Sequence, residues 1–457
     1  MLEFLKQKLE GKSIVILGFG REGQSSYTLI REVFPEKHLL IADSNGEVGD
    51  HPLLKGDKNL EFCTGNNYLD SVRYCDFVMK SPGVRINHLQ PPIPSSRIIS
   101  QTSLFLERYG RQVIGVTGTK GKSTTSSLIH HILQLAGKDS CLVGNIGSPA
   151  FNFISRIHTE TMIVFELSSH QLEYAGFSPH ISILLNLFQE HLDAYLSYEA
   201  YQQAKMNIAS FQGQGDFLIY HASDELLAAH LSAMESKAHL FPFSLSEQYR
   251  PGIFRNESSV CFSDGRVERV IWKLEQKRYL KGEHNLKNIM AAIGACVVAA
   301  IPDEAIREGI LTFKGLEHRL EYVGEYQQIH FYNDSIATIP EATIEAVKSL
   351  PNVDTLILGG FDRGIDYSAL ACFLVTSGVR TLVLLGAAGK RIGECMDTLK
   401  PHPQKIIYIN HFDSLKDIVF RETRPGYSCL LSPAAASYDE FANFEERGKR
   451  FREIVRV

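Results

Sequence analysis

An α/β fold built from three parallel-sheet units is predicted from three observations. Short apolar runs are followed by glycine turns and then by helical stretches, the signature of strand–helix–strand units. The pattern restarts near residues 13, 113 and 355. A length of 457 residues, at roughly 100–200 residues per domain, makes about three domains.

The first unit opens with Ser13–Leu17 as a buried strand, then a glycine turn, a helical stretch to about Phe34, and a second strand at His38–Ala42. The second begins with strand Val113–Thr117, followed by a glycine-rich loop and a helix from about Lys122 to Ala136. Apolar strands at Met162–Phe165 and Ile181–Leu185 continue it. Between 230 and 280, polar turns interrupt short alternating runs, which predicts hairpins appended to this unit. Helix Asn285–Ala300 and a short successor close it. The third unit holds strands at Thr355–Leu358, Thr381–Leu385, Ile406–Ile409 and Cys429–Leu431, with a closing helix over Tyr438–Ile454. Composition changes too little to mark linkers, so boundaries are expected near 107 and 313, giving domains 1–107, 108–313 and 314–457.

Lys and Arg number 47 against 52 Asp and Glu, a net charge of −5, so no global basic field exists to grip nucleic acid or an anionic membrane. Hydrophobic content of 44% with 22% charged residues excludes general disorder. The eight cysteines never form a CxxC or a tight cluster, which fits a reducing compartment better than a disulfide framework or a zinc site. The first residues carry charges without an apolar signal core, and no run approaches 18 apolar residues. A cytoplasmic location is expected.

Gly118, Thr119, Lys120, Gly121, Lys122, Ser123 and Thr124 form the strongest local motif, lying between a strand and a helix. Phosphates need backbone N–H groups converging at a helix N-terminus, and glycines let the chain come close. Lys122 would reach the terminal phosphates and Ser123 would touch Mg²⁺. The loop departs from the strict GxxxxGK[ST] pattern, because Val116 takes the first glycine position. Glu166 ends an apolar strand about 40 residues later, where an acid can hold Mg²⁺ beside a nucleotide, or simply reach the surface. Ser168 and Gln171 follow at the same sheet edge.

His191 follows another apolar strand; spacing alone makes it a structural or solvent-facing histidine more readily than a ligand. Tyr201, Ala204, Ile208 and Phe211 make an apolar helical stripe, with Lys205 at its edge, by default a snorkelling surface lysine. Gly18, Gly20 and Gly23 follow the first strand and open a helix, and Asp43 ends the next strand. Read literally this fingerprint predicts NAD, but any nucleotide diphosphate could use the same turn. Asn285, Asn288, His318, Arg319, Asn333, Asp334 and Arg363 are polar groups at turns after apolar runs, Arg319 being the best candidate to clamp phosphate charge.

Together and in this order, the motifs resemble the Mur ligases of peptidoglycan synthesis, ATP-dependent amide-forming enzymes, essentially from end to end. The strings that carry the resemblance are Gly-Thr-Lys-Gly-Lys-Ser-Thr from 118, Gly-Asn-Ile-Gly from 144, Glu-Leu-Ser-Ser-His-Gln-Leu-Glu from 166, and Gly-Glu-His-Asn-Leu-Lys-Asn from 282. Gly-Leu-Glu-His-Arg-Leu-Glu from 315, Tyr-Asn-Asp-Ser from 332 and Leu-Ser-Pro-Ala-Ala-Ala-Ser-Tyr-Asp-Glu-Phe from 431 complete them.

The resemblance implies an N-terminal Rossmann-like domain, a central sheet of the P-loop ATPase type with appended hairpins, and a C-terminal Rossmann-like domain. It implies a monomer that adds glutamate to UDP-N-acetylmuramoyl-L-alanine with ATP and two Mg²⁺ sites. Glu166, His191 and Ser123 would bind Mg²⁺, and Lys205 would react with CO₂ to give a carbamate, whose hard oxygens a cation prefers. Lys122 and Arg319 join these as catalytic residues, and Asn285, Asn288 and Asp334 match nucleotide-binding positions. The first glycine turn is redirected to a uridine diphosphate, with Gly20, Arg21, Glu22, Asp43, Ser44, Ser81, Pro82, Gly83 and Asn145, joined by Ser168, Gln171 and His191. Thr338, Ser437, Tyr438, Phe444 and Arg363 match or adjoin positions that hold the amino acid.

Two departures fall at those last sites. Where the family usually reads Asn-Asp-Ser-Lys-Ala-Thr-Asn, this chain carries Ile336 and Ile339, and the usual Gly-Gly-x-x-Lys ends in Arg363. A planar fork recognises a carboxylate bidentately, so D-glutamate, L-glutamate or another amino acid stay open. A folylpolyglutamate synthetase would share the last two domains but not need the first glycine fingerprint.

Overall fold

The computed structural model describes residues 1–144, 148–189, 195–276 and 278–456. The chain forms two compact units, Met1–Lys277 with His284–Leu311, and Arg278–Glu283 with Thr312–Val457. The architecture is α/β with three sheets.

The first unit carries two of them. After helix α1 (Leu2–Leu9), strands β1 (Ile14–Leu17), β2 (Leu39–Asp43), β3 (Leu60–Thr64), β4 (Phe77–Lys80) and β5 (Ile98–Ile99) form a parallel sheet in the order β3-β2-β1-β4-β5. Helix α2 (Arg21–Val33) follows the expected glycine turn. There Gly18 has φ +86°, and a Cβ on Gly23 would lie 2.1 Å from the Gly18 carbonyl oxygen, so turn and helix can meet only through glycine.

Helix α3 (Gln101–Tyr109) leads into the second sheet. Its strands are β6 (Val113–Thr117), β7 (Ser140–Gly144), β8 (Met162–Glu166), β9 (Ile181–Leu184), β10 (Phe217–His221), β11 (His239–Ser244), β12 (Gly252–Arg255), β13 (Ser259–Ser263) and β14 (Glu268–Lys273). Their order is β14-β13-β12-β11-β10-β9-β6-β8-β7. Pairing is parallel from β7 through to β12, and antiparallel only for the last two pairs. The expected hairpins therefore exist at β12–β14, but as a continuation of the central sheet, while β11 joins it in parallel. Asn256 and Asp264 make the two turns by accepting N–H groups two and three residues ahead. Helices α4 (Lys122–Leu135), α5 (Ser169–Leu172), α6 (Tyr198–Ser210), α7 (Glu225–Ala233), α8 (Glu283–Val298) and α9 (Asp303–Thr312) complete this stretch.

One apolar cluster joins the two sheets into a single body. It runs from Leu5, Ile16 and Ile41 through Phe105 to Phe165 and Leu184, with the Phe105 and Phe165 rings edge to face at 5.5 Å. Buried polar contacts stitch the same seam: Ser25 donates to the Asn152 side chain at 2.6 Å, and Gln101 donates to Ser25 at 3.2 Å.

The second unit has the sheet order β15-β16-β20-β17-β18-β19, with β15 (Glu321–Tyr326), β16 (Ile329–Asn333), β17 (Val353–Gly359), β18 (Thr381–Leu385), β19 (Lys405–Ile409) and β20 (Ser428–Leu431). Only the β15–β16 pair is antiparallel. This hairpin was not legible as strands because edge strand β15 is nowhere fully buried and offers no apolar run. Helices α10 (Pro340–Ser349), α11 (Ser368–Thr376), α12 (Gly386–Asp397), α13 (Leu415–Glu422) and α14 (Phe444–Val455) cover both faces. The closing helix starts at Phe444 rather than Tyr438, because Asn443 caps it by accepting the Glu446 N–H and the residues before it form a loop. Among the described residues no helix is long and apolar enough to cross a membrane.

Candidate active site

The glycine-rich loop leaves the C-terminal end of β6, a fully buried interior strand of its sheet, and delivers the chain to the start of α4. Gly121 caps the helix with φ +89°, a conformation open to glycine, and a Cβ there would lie 2.3 Å from Asn288 Oδ1. That places Asn288 of α8 against the loop, where its amide also donates to Asn285 at 3.3 Å. The loop is braced from the other side. Thr119 N–H donates to the Asn186 carbonyl, the Asn186 side chain clasps both N–H and carbonyl of Lys120 at 2.8 and 3.0 Å, and the Thr119 hydroxyl meets Tyr201 Oη at 2.9 Å.

Two lysines converge here. Lys122 Nζ donates to the carbonyls of Gly118 and Thr119 at 2.9 Å each, and Lys205 Nζ donates to the same Gly118 oxygen at 2.9 Å. Lys205 is 2% exposed and lies over the Tyr201 ring, 4.9 Å from its centre, so the default reading of a surface lysine is wrong. Tyr201, Ala204 and Ile208 bury as the stripe requires, whereas Phe211 lies past the helix end and is exposed. Because α6 packs against α5, β6 and β9 with Tyr201 reaching the loop, a residue beside its stripe is carried inside as well.

Glu166 ends β8 with no solvent exposure, in register with Val116 of β6, so its carboxylate is carried on the strand next to the one that feeds the loop. Ser123 stands in the first turn of α4. A carboxylate and a hydroxyl are hard oxygen donors of the kind Mg²⁺ takes. Among the described residues no group of three or more His, Cys, Asp and Glu is placed to hold a metal. His191 and Asn145 lie outside the described residues.

At the first sheet, Asp43 accepts the Phe19 N–H at 2.6 Å and the Asn45 N–H at 2.8 Å, which fixes the glycine turn and the Ser44 loop to each other. A Cβ on Gly20 would meet nothing within 4 Å, leaving the helix start open, with Arg21 exposed beside it. Ser81 donates to the Gly18 carbonyl at 2.7 Å, bringing the Ser81–Gly83 turn against the glycine turn. Ser168 and Gln171 cap α5 reciprocally, and the Gln171 amide also donates to Glu22 at 2.7 Å. Glu22, Ser168 and Gln171 thus form one chain of contacts. Burial pushes the Glu22 carboxyl up, opposed by the Gln171 hydrogen bond and the Lys80 charge.

In the second unit, Asp334 is buried just past the end of β16 and accepts from Leu320 N–H at 3.1 Å and the Ser432 hydroxyl at 2.8 Å. Burial dominates, and its carboxyl is pushed up to about 7 despite those bonds and the Arg319 charge. Arg319 itself is exposed. The Arg363 guanidinium donates to the Thr338 carbonyl at 3.1 Å, and Phe361 N–H donates to the Ala436 carbonyl at 2.9 Å, drawing the 359–364 loop to Ser437 and Tyr438. The Tyr438 ring stands edge-on to Phe361 at 6.2 Å. Phe444 is set apart from this group, its carbonyl held by Ser335 and its ring beside His318.

Sequence reasoning missed Arg447. This arginine is 3% exposed and donates to the Ser335 hydroxyl and to the carbonyls of Ser335, Ala435 and Ala436, tying the Asp334 loop to the Ser437 loop. The available signal was periodicity: 447, 451, 454 and 455 form the apolar stripe of α14, and one of its members is a cation. Lys80, which ends the apolar run Phe77–Lys80, and Glu173, which follows α5, were also missed.

A sequence profile for the Mur ligase middle domain matches residues 116–296. A UDP-N-acetylmuramoylalanine–D-glutamate ligase of Koribacter versatilis is 33% identical over 457 residues, covering 98% of each chain. A protein of the same name from Symbiobacterium thermophilum is 36% identical over 396 residues, 86% of each chain. Among solved structures, MurF from Acinetobacter baumannii superposes with a TM-score of 0.61 at 14% identity, covering 98% of this chain and 92% of that one, a likeness of fold.

Proposed function

The chain belongs to the Mur ligase family, and from that premise we infer that it is the ATP-dependent ligase of peptidoglycan precursor synthesis that joins glutamate to UDP-N-acetylmuramoyl-L-alanine. Its relatives at 33% and 36% identity carry the name UDP-N-acetylmuramoylalanine–D-glutamate ligase. The observation that carries the site is the convergence of Lys122 and Lys205 on the Gly118 carbonyl, each at 2.9 Å, at the mouth of a phosphate-type loop. The reading takes residues 1–107 as the nucleotide-sugar domain, 108–313 as the ATP domain and 314–457 as the amino-acid domain, each segment carrying one sheet. It takes the enzyme as a cytoplasmic monomer.

The chemistry is phosphoryl transfer followed by acyl transfer. The terminal alanine carboxylate attacks the γ-phosphorus of ATP, ADP leaves, and an acyl phosphate results. The glutamate amine then adds to the acyl carbon and inorganic phosphate departs, leaving the amide. Little covalent work falls to the protein, so positioning and charge supply most of the rate.

The loop N–H groups and the Lys122 ammonium hold the terminal phosphates, with Thr119, Lys120 and Thr124 fixing the loop's path. Asn285 and Asn288 orient the nucleotide, joined by Arg319 and Asp334. Ser123, Glu166, His191 and a carbamate on Lys205 are the groups to hold two Mg²⁺ ions, which when bound neutralise phosphate charge. Gly20, Arg21, Glu22, Asp43, Ser44, the Ser81–Gly83 turn, Asn145, Ser168 and Gln171 receive the uridine diphosphate sugar. Thr338, Arg363, Ser437, Tyr438 and Phe444 receive glutamate.

Phosphate release from ATP and UDP-N-acetylmuramoyl-L-alanine, with D-glutamate, L-glutamate or no amino acid, tests this reading. Release with D-glutamate alone is expected. A preference for L-glutamate would make Ile336 and Arg363 determinants of a changed site, and no release with either would overturn the substrate assignment.

A further inference from the structure

The mechanism above gives no role to the buried cation Lys80. Lys80 ends β4, pairs in register with Leu17 of β1, and is 4% exposed. Its ammonium lies 3.7 Å from Glu173 Oε2 and donates to the carbonyls of Ser81 at 3.4 Å and Pro82 at 3.3 Å. It also sits 5.3 Å from the centre of the Tyr174 ring and within the field of Glu22.

A buried ammonium carries a desolvation cost that an apolar strand end would avoid. What the charge brings is a bridge. The Ser81–Gly83 turn belongs to the first sheet, whereas Glu173 and Tyr174 follow α5 beside the second. Two polar links cross between them in parallel, Gln171 to Glu22 at 2.7 Å and Glu173 to Lys80 at 3.7 Å. A third contact, Ser81 to the Gly18 carbonyl, closes the turn onto the glycine loop.

We propose that Lys80 is a positioning residue for the nucleotide-sugar substrate, holding the Ser81–Gly83 turn in place from below and locking it to the 168–174 segment through Glu173. The proposal rests on the reading of that turn as part of the uridine diphosphate site. It requires that loss of the ammonium weaken nucleotide-sugar binding and leave ATP binding alone.

The test compares the full-length enzyme with Lys80→Met, Lys80→Arg, Glu173→Gln and the Lys80→Met/Glu173→Gln pair. For each, KM is measured for UDP-N-acetylmuramoyl-L-alanine and for ATP, together with kcat. Lys80→Met is expected to raise the nucleotide-sugar KM on the order of tenfold, the worth of one charge-assisted contact, with kcat and the ATP KM within about twofold. Lys80→Arg should recover part of the loss, and the double variant should cost less than the two singles combined, because their targets are one contact. An unchanged nucleotide-sugar KM, or an equal rise in both KM values, overturns the proposal. If Lys80→Met does not fold, Glu173→Gln decides by the same two readouts. Calorimetric titration of the parent enzyme with the nucleotide sugar comes first, and no binding there overturns the functional reading itself.

Discussion

Lys122 and Lys205, 83 residues apart in the chain, donate to one oxygen, the Gly118 carbonyl, at 2.9 Å each. A carbamate on Lys205 would place an anion beside the Lys122 ammonium. In labelled bicarbonate, the enzyme is expected to show a carbamate carbon resonance by ¹³C NMR that Lys205→Ala lacks. Lys205→Ala should also lose activity that a short carboxylate in the buffer partly restores, and full activity in that variant would rule the carbamate out.

Lys122→Ala is expected to abolish ATP turnover, with a loss on the order of 10³-fold or more, since charge neutralisation at the transferring phosphate is the main catalytic term. Thermal melting should stay close to that of the parent. Surviving turnover in a phosphate-release assay would remove the loop from the mechanism.

Gly121→Ala combines a left-handed φ of +89° with a Cβ 2.3 Å from Asn288 Oδ1. The backbone conformation alone costs of order 1–3 kcal/mol for a residue other than glycine. A higher ATP KM and a lower midpoint in urea are expected. Gly121→Ala/Asn288→Ala should regain stability by relieving the clash but regain no ATP affinity.

Asp334 supplies a pH signature. Its folded carboxyl titrates near 7, above the unfolded value of 3.8, so the stability it contributes is complete below about pH 4 and is lost as pH rises through 7. Asp334→Asn mimics the protonated form. Relative to the parent, this variant should therefore gain stability between pH 5 and pH 8 in urea unfolding, and a difference independent of pH would contradict the burial of that carboxylate.

Arg447→Met removes a guanidinium that serves four acceptors on two loops. Leaving buried acceptors unpaired costs about 1–3 kcal/mol each before relaxation, so a loss on the order of 3 kcal/mol is expected by chemical denaturation. The KM for glutamate should rise with it, because Ser437 sits on one of the tied loops.

The amino-acid sequence alone discloses the α/β class, the placement of the central strands, and the loop from Gly118 to Thr124. Those features are local: a strand buried on both faces is a continuous apolar run, and a phosphate-type loop needs glycine at positions that neighbours in sequence define. The resemblance supplied roles for Glu166, Lys205 and Asp334 that spacing alone left ambiguous. Tertiary structure decided the rest. Whether Lys205 faced water or the Gly118 carbonyl depended on where α6 packed, and the joining of Glu22 to Gln171 depended on an apolar seam shared by two sheets. The buried charges Lys80 and Arg447 were invisible for the same reason, since a charge is buried or exposed according to what folds over it, and that is written in residues distant along the chain.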